Sequence, residues 1–197
     1  MSKDITICTG SIFDTTCLYM VNTVNVFGVM GKGLALEVKK RHPDVFKHYY
    51  RKCSINRNLL HDNKKLPLDK ALRKINKKLY FTAGDMVVRD IKRDRTKNYK
   101  GYVGVISLAT KGHWARPSTY PIIRTCMKSI GTSYSEQVWT SIAFPLLGAS
   151  NGGLDPLKVI RVMLEELRTL NIPRVEVYVP AELEVKANKL LKQIIKG

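Results

Sequence analysis

The 197-residue chain has no apolar run approaching the roughly 18 residues that cross a bilayer as a helix, which sets aside a helical membrane span and a membrane partner. Its first residues, Met1 to Asp4 ahead of Ile5-Thr6-Ile7-Cys8, lack the apolar core of a secretion signal. Cysteine is sparse. Cys8, Cys17, Cys53 and Cys126 stand without CxxC or any other metal-ligand spacing, so buried reduced thiols, no metal and no cofactor are expected, in a cytoplasmic protein. Two familiar nucleotide signatures are also missing. No Gly-Lys-Ser/Thr follows a glycine loop as in a P-loop, and no GxGxxG spacing marks a dinucleotide oxidoreductase.

Acidic residues are scarce. Lys and Arg number 34 against 16 Asp and Glu, for a net charge of +18. The excess is uneven: residues 39–100 hold 20 Lys/Arg and 6 Asp/Glu. A field of that size favours polyanions, nucleic acid above all, over a merely solubilising surface. The hydrophobic fraction of 44% and the length fit one ordinary globular domain, and a monomer is the default.

β-Branched and apolar runs at 4–9, 19–24, 102–108, 139–144 and 175–179 predict strands. Helical spacing predicts a helix from Gly31 to Arg41 stopped by Pro43, and a second capped by Asp44. Further helices follow Ser118 or Thr119, follow the Asp155-Pro156 start signal, and close the chain over 181–195. Residues 54–100 read as a basic surface insertion, with one short amphipathic helix, a strand or hairpin near Ala83-Gly84-Asp85 and a charged loop over 90–100. Alternating strands and helices give an α/β sheet covered on both faces, with ligands expected at the carboxyl ends of the strands.

Two glycine-rich segments fall at such ends. Asn22-Thr23-Val24-Asn25 runs into Gly28, Gly31, Lys32 and Gly33, and some 115 residues later Phe144-Pro145 runs into Gly148-Ala149-Ser150-Asn151-Gly152-Gly153. Small residues at a strand-to-helix junction let backbone N–H groups crowd an anion, and the helix N-terminus behind adds its dipole. Two such loops fit a diphosphate, and Asn22 and Asn25 are amides suited to the hydroxyls of a sugar. Between them lies Thr110-Lys111-Gly112-His113-Trp114 at the end of another strand.

These segments resemble the macrodomain signature, and in their order and detail the DarG antitoxin branch of that family: Val21 to Asn25, Gly28 to Leu36, Thr110 to Trp114 and Pro145 to Asp155. The matches cover about 5–50 and 103–180. The resemblance implies a three-layer α/β/α macrodomain with a central mixed sheet that binds ADP-ribose without metal. It implies that Gly10-Ser11-Ile12 faces the adenine, with Ser11 standing where many macrodomains have aspartate. Asn22 and Asn25 would hold the distal ribose, and Gly31-Lys32-Gly33 with Gly148-Ala149-Ser150-Asn151-Gly152 the diphosphate. Lys111 would be catalytic.

A lysine suits this chemistry, because a partly desolvated amine can lose its proton and then attack an anomeric carbon or carry a proton to the leaving group. His113 admits two readings, a second catalytic group acting as general acid or a capping residue. Trp114 either stacks on a base or packs on the sheet, and with Arg116 it is a candidate nucleic-acid contact. A related glycohydrolase that acts on modified glutamates pairs its lysine with an aspartate in the second loop. Gly152 occupies that position here, which disfavours protein deconjugation. The expected function is therefore removal of ADP-ribose from DNA bases, with single-stranded DNA as the partner and reversal of a DarT-like toxin as the context. Hydrolysis of ADP-ribose-1''-phosphate and non-catalytic ADP-ribose reading are the alternatives. The end of the chain at residue 197 leads to the expectation of a stand-alone enzyme, with host antitoxin and phage counter-defence both open.

Overall fold

The computed structural model describes residues 3–91, 101–137 and 139–195. Along the chain come β1 (Asp4–Cys8), β2 (Tyr19–Val24), α1 (Gly33–Arg41), α2 (Pro43–Lys52), α3 (Ser54–Asp62), α4 (Leu68–Ile75), β3 (Met86–Asp90), β4 (Gly104–Ala109), α5 (Tyr120–Gln137), β5 (Ser141–Pro145), α6 (Pro156–Thr169), β6 (Arg174–Tyr178) and α7 (Glu184–Ile195). The strands make one six-stranded sheet in the order β1-β6-β5-β2-β4-β3. All neighbours pair in parallel except β3, which runs antiparallel to β4 at the edge. β4 is buried at all six positions, as a strand covered on both faces must be.

Strand alternation sorts the core into two layers. Val21, Ile106, Leu108, Ile142, Phe144, Val175 and Val177 face α5, α6 and α7, meeting Ile123, Met127, Ile160, Leu164 and Leu191. On the opposite face Val24, Val87 and Ala109 pack with Phe27, Ala35, Tyr49 and Ile75, and Met20, Val105 and Ala143 pack with Val38 and Val45. The result is an α/β/α sandwich with α1 to α4 on one side and α5 to α7 on the other.

Several local expectations shift. α1 begins at Gly33 rather than Gly31, which leaves Gly31 and Lys32 free as loop. Pro43 opens α2 at its first turn, because a proline needs no N–H partner there, and His42 rather than Asp44 is the capping position. Asp155 caps α6 as expected, its Oδ1 accepting from Lys158 N at 2.8 Å.

The largest difference is at residues 54–78. Two helices and a short 3-10 turn replace the single surface helix, and Asn56, Ala71 and Ile75 are buried. Asn56 is fully enclosed: Nδ2 donates to Val26 O (2.8 Å) and Phe81 O (2.6 Å), while Oδ1 accepts from Tyr80 N (2.9 Å). One amide thereby ties this segment to the loop after β2. Of the charged loop expected at 90–100, residues 92–100 lie outside the described residues. No helix among the described residues is long and apolar enough to cross a membrane.

Candidate active site

The five parallel strands end on the same edge of the sheet, and the loops leaving them surround a cavity of ≈ 1050 Å³. Gly10 and Ile12 enter its wall after β1, Asn25, Val29 and Gly31 to Gly33 after β2, Thr110, Lys111, Trp114 and Ala115 after β4, Leu146 and Gly148 to Gly152 after β5, and Val179 to Ala181 after β6. Parallel strands ending in loops at one edge produce such a crevice without further design.

The loop after β2 is shaped by Asn25. Its Oδ1 accepts from Phe27 N (2.9 Å) and Val29 N (3.4 Å), and its Nδ2 donates to Val29 O (2.6 Å). An asparagine that closes a turn on its own downstream backbone holds the following residues rigidly. Tyr49 of α2 completes the clamp, its hydroxyl donating to Asn25 O (2.7 Å) and accepting from Gly28 N (3.1 Å). Burial pushes the Tyr49 pKa well up, so the hydroxyl stays protonated. Beyond the turn, Lys32 precedes α1 with extended backbone and no side-chain cap, leaving the first amides of that helix unused by side chains.

The loop after β5 curls tightly. Leu154 N donates to Gly148 O (3.1 Å) and Gly153 N to Ala149 O (3.2 Å). A Cβ on Gly152 would lie 2.2 Å from Gly148 O, and Gly148 itself sits at φ +72°. No other residue fits either place. The two glycine loops touch: a Cβ on Gly33 would meet Asn151 Nδ2 at 2.7 Å.

Lys111 joins the third loop to them. Nζ donates to Trp114 O (3.1 Å) and to Asn151 O (2.9 Å), and the side chain lines the cavity beside the second glycine loop. Partial burial lowers its pKa from the usual lysine value. Val26 N to Gly112 O (3.0 Å) fastens the same loop to the one after β2. Three segments distant in sequence are thus locked around a single amine.

Of the residues singled out from sequence, Ile12, Asn25, Gly31, Lys32, Gly33, Lys111, Trp114, Gly148, Ala149, Ser150, Asn151 and Gly152 form the cavity wall. Four do not, and each has a physical reason. Asn22 points into the α1–α4 side of the sheet, fully buried, opposite Ser107 in register, with Nδ2 3.5 Å from Ser107 Oγ. Thr23 and Asn25 reach the cavity instead. Ser11 caps the 3-10 turn at Ile12–Asp14, its hydroxyl accepting from Phe13 N (3.3 Å).

His113 is buried under Trp114, ring centroids 3.6 Å apart, and its Nδ1 accepts from Ala115 N (3.1 Å). This is the capping geometry of the two readings, and desolvation lowers its pKa further from a proton donor's range. Arg116 is held by Asp69 of α4 in an ion pair.

The wall also contains groups that the motifs did not mark. Ser118 Oγ, expected only as a helix cap, is buried beside Gly148 and Gly152 with no hydrogen-bond partner among the described residues. Tyr178 to Ala181 close the end of the cavity near Gly10, legible only from the rule that every parallel strand end contributes.

A mixed sheet between two helical layers, with glycine loops and a lysine around a crevice at the strand ends, defines a macrodomain. Solved structures bear this out. The macrodomain of Mycobacterium tuberculosis DarG superposes with a TM-score of 0.72 at 29% identity, covering 91% of this chain and all of that one. Thermosipho africanus DarTG in complex with ADP-ribose superposes with a TM-score of 0.72 at 24% identity, covering 100% of this chain and 46% of that one.

Among curated proteins, the DNA ADP-ribosyl glycohydrolase of M. tuberculosis is 32% identical over 151 residues, 77% of this chain and 35% of the relative. That of Thermus aquaticus is 29% identical over 173 residues, 88% of this chain and 40% of the relative. The chain therefore spans well under half the length of these curated relatives. No family model matches. The chain has the macrodomain fold and is similar to macrodomains of the DarG type.

Proposed function

We propose that the chain hydrolyses the glycosidic bond between ADP-ribose and a base of DNA, with Lys111 carrying the reaction. The two glycine loops offer backbone N–H groups and the open start of α1 to the diphosphate, and Thr23 and Asn25 border the place where the distal ribose would lie. The observation that carries the reading is Lys111, a partly desolvated amine fastened between Trp114 O and Asn151 O at the cavity wall. The bond from the anomeric carbon to the base breaks, water supplies hydroxide to the carbon, and a proton goes to the leaving base. An amine of lowered pKa can take up and return that proton, or hold the carbon covalently until water arrives. Gly152 leaves the second loop without a carboxylate, so Lys111 has no acidic partner there.

The named relatives, DNA ADP-ribosyl glycohydrolases, support the DNA base as the conjugate. The uneven positive charge supports a nucleic-acid partner, and reversal of a DarT-like modification is the corresponding context. The test sets ADP-ribosylated single-stranded DNA, ADP-ribosylated protein and ADP-ribose-1''-phosphate side by side. Release of ADP-ribose from the DNA alone, lost in Lys111→Ala, is expected. Phosphate release unaffected by Lys111→Ala, or tight ADP-ribose binding with no turnover, would overturn the assignment.

A further inference from the structure

The exposed aromatic side chains among the described residues are Trp114, Tyr50 and Tyr80, at 43%, 43% and 59% exposure. None is isolated. Trp114 borders the cavity and packs edge-on against Phe27, ring centroids 6.1 Å apart. The next residue, Gly28, is covered from outside by α2 and α3: a Cβ there would lie 2.7 Å from Arg57 Nη1 and 3.3 Å from Tyr50 Cδ2. The Arg57 guanidinium stacks on the Tyr50 ring at 3.4 Å and donates to Tyr50 O. Tyr80 carries Lys52 over its ring at 4.6 Å, and its backbone is tied through Asn56 to Val26. All three rings therefore hang on the Val26–Val29 turn, whose far end, Val29, lines the cavity and is itself exposed.

The surrounding charge has one sign. Between Pro43 and Lys78 stand 11 lysines and arginines against three aspartates, and two of those aspartates, Asp44 and Asp69, face Arg89 and Arg116. Exposed aromatic rings, two of them with a cation on one face, are poor candidates for a merely solvated face. They match a strand that presents unstacked bases and regularly spaced phosphates, with bases lying on the rings and phosphates meeting the cations. A duplex, whose bases are already stacked, would use the charges and leave the rings idle.

From this we infer that Tyr50 with Arg57, and Tyr80 with Lys52, form a track for single-stranded DNA leading away from the cavity mouth at Trp114 over the Gly28 turn. The track deepens the proposed function and rests on it only for the position of the modified base. It holds the flanking nucleotides while the cavity holds the ADP-ribose.

Binding of a labelled, unmodified single-stranded oligonucleotide to the full chain, followed by fluorescence anisotropy, tests it. Tyr50→Ala and Tyr80→Ala should each weaken binding about tenfold, the size expected for one stacked base. Tyr50→Phe and Tyr80→Phe, which keep the ring, should bind as the unaltered chain does. Arg57→Ala should lower the salt slope by about one phosphate contact. With ADP-ribosylated substrates, the tyrosine-to-alanine changes should raise KM for the oligonucleotide, leave kcat alone, and leave turnover of an ADP-ribosylated mononucleotide unchanged.

Unchanged oligonucleotide binding in both alanine variants overturns the track, as does an equal loss on a duplex or an equal loss in the phenylalanine variants. Equal binding of an RNA strand of the same sequence overturns its assignment to DNA. If no ADP-ribosylated substrate turns over yet ring-dependent binding persists, the proposed hydrolysis fails and the track stands. Lys111-dependent turnover with binding indifferent to both rings is the reverse case.

Discussion

Lys111 donates to two carbonyls, and each bond matters for a different reason. The bond to Trp114 O closes its own loop, while that to Asn151 O reaches across 40 residues and sets the amine against the second glycine loop. Removing the side chain as Lys111→Ala should abolish turnover by at least about a hundredfold, the usual scale for a lost proton-transfer group, while ADP-ribose still binds in calorimetry. Lys111→Arg should be equally inactive, because a guanidinium does not give up its proton near neutral pH.

Burial lowers the lysine pKa, so the neutral amine becomes available below the ordinary value of 10.5. Turnover limited by that amine should then rise with pH through a midpoint below 10.5, and a pH–rate profile checks the sign. Gly152 is a second residue-scale test. Any side chain there collides with Gly148 O, so Gly152→Ala should lower ADP-ribose affinity more than tenfold in calorimetry, whereas Gly153→Ala, with nothing within 4 Å, should disturb the loop through its φ of +76° alone.

At the scale of elements, α2 and α3 act as a buttress behind the first loop. Tyr49 grips Asn25 and Gly28, and Asn56 grips Val26 and Phe81. Truncating Asn56 would orphan two buried carbonyls and an N–H at once, each costing about 1–3 kcal/mol. Asn56→Ala should therefore destabilise the fold by roughly 3 kcal/mol or more, read as a lower urea midpoint. Asn56→Asp should fare no better, since an ionised carboxylate cannot donate to Val26 O and Phe81 O. The basic segment thus supports the loop after β2, and its loss would loosen the cavity wall at the proposed ribose position.

For the whole molecule, charge sets the conditions under which it works. With a net charge of +18, the proposed nucleic-acid affinity should fall steeply with salt, and a linear fall of log affinity with log salt would show it. Stability has its own pH dependence. Burial lowers the pKa values of His42, His48 and His113, so the unfolded chain binds protons more readily than the folded one. Stability should hold above about pH 6.5 and fall as the pH drops below it, which urea titrations at about pH 7.5 and 5.5 would reveal.

The arrangement of the site was legible in the sequence where backbone chemistry governs it. Gly148 and Gly152 could be recognised because a tight loop admits no side chain, and Asp155-Pro156 because a helix start has few solutions. Direction of side chains was not legible. Asn22 and Asn25 are equivalent as residues, yet strand alternation turns Asn22 into the core beside Ser107 and the end of β2 frees Asn25 for the turn. His113 and Trp114 are neighbours, and packing puts one beneath the other. Residues 54–78 looked like surface because their polarity hides the few buried anchors, Asn56, Ala71 and Ile75, among exposed lysines.

Alone, the sequence determined the strand and helix types outside residues 54–78, the two glycine loops and the excess of positive charge, since these follow from local sterics and composition. Only the tertiary structure decided that Lys111 meets Asn151, that Gly33 touches the same residue, and that Tyr50, Tyr80 and Trp114 each connect to the Val26–Val29 turn. Those juxtapositions depend on how parallel strands bring distant chain ends to one edge, and no local preference encodes them.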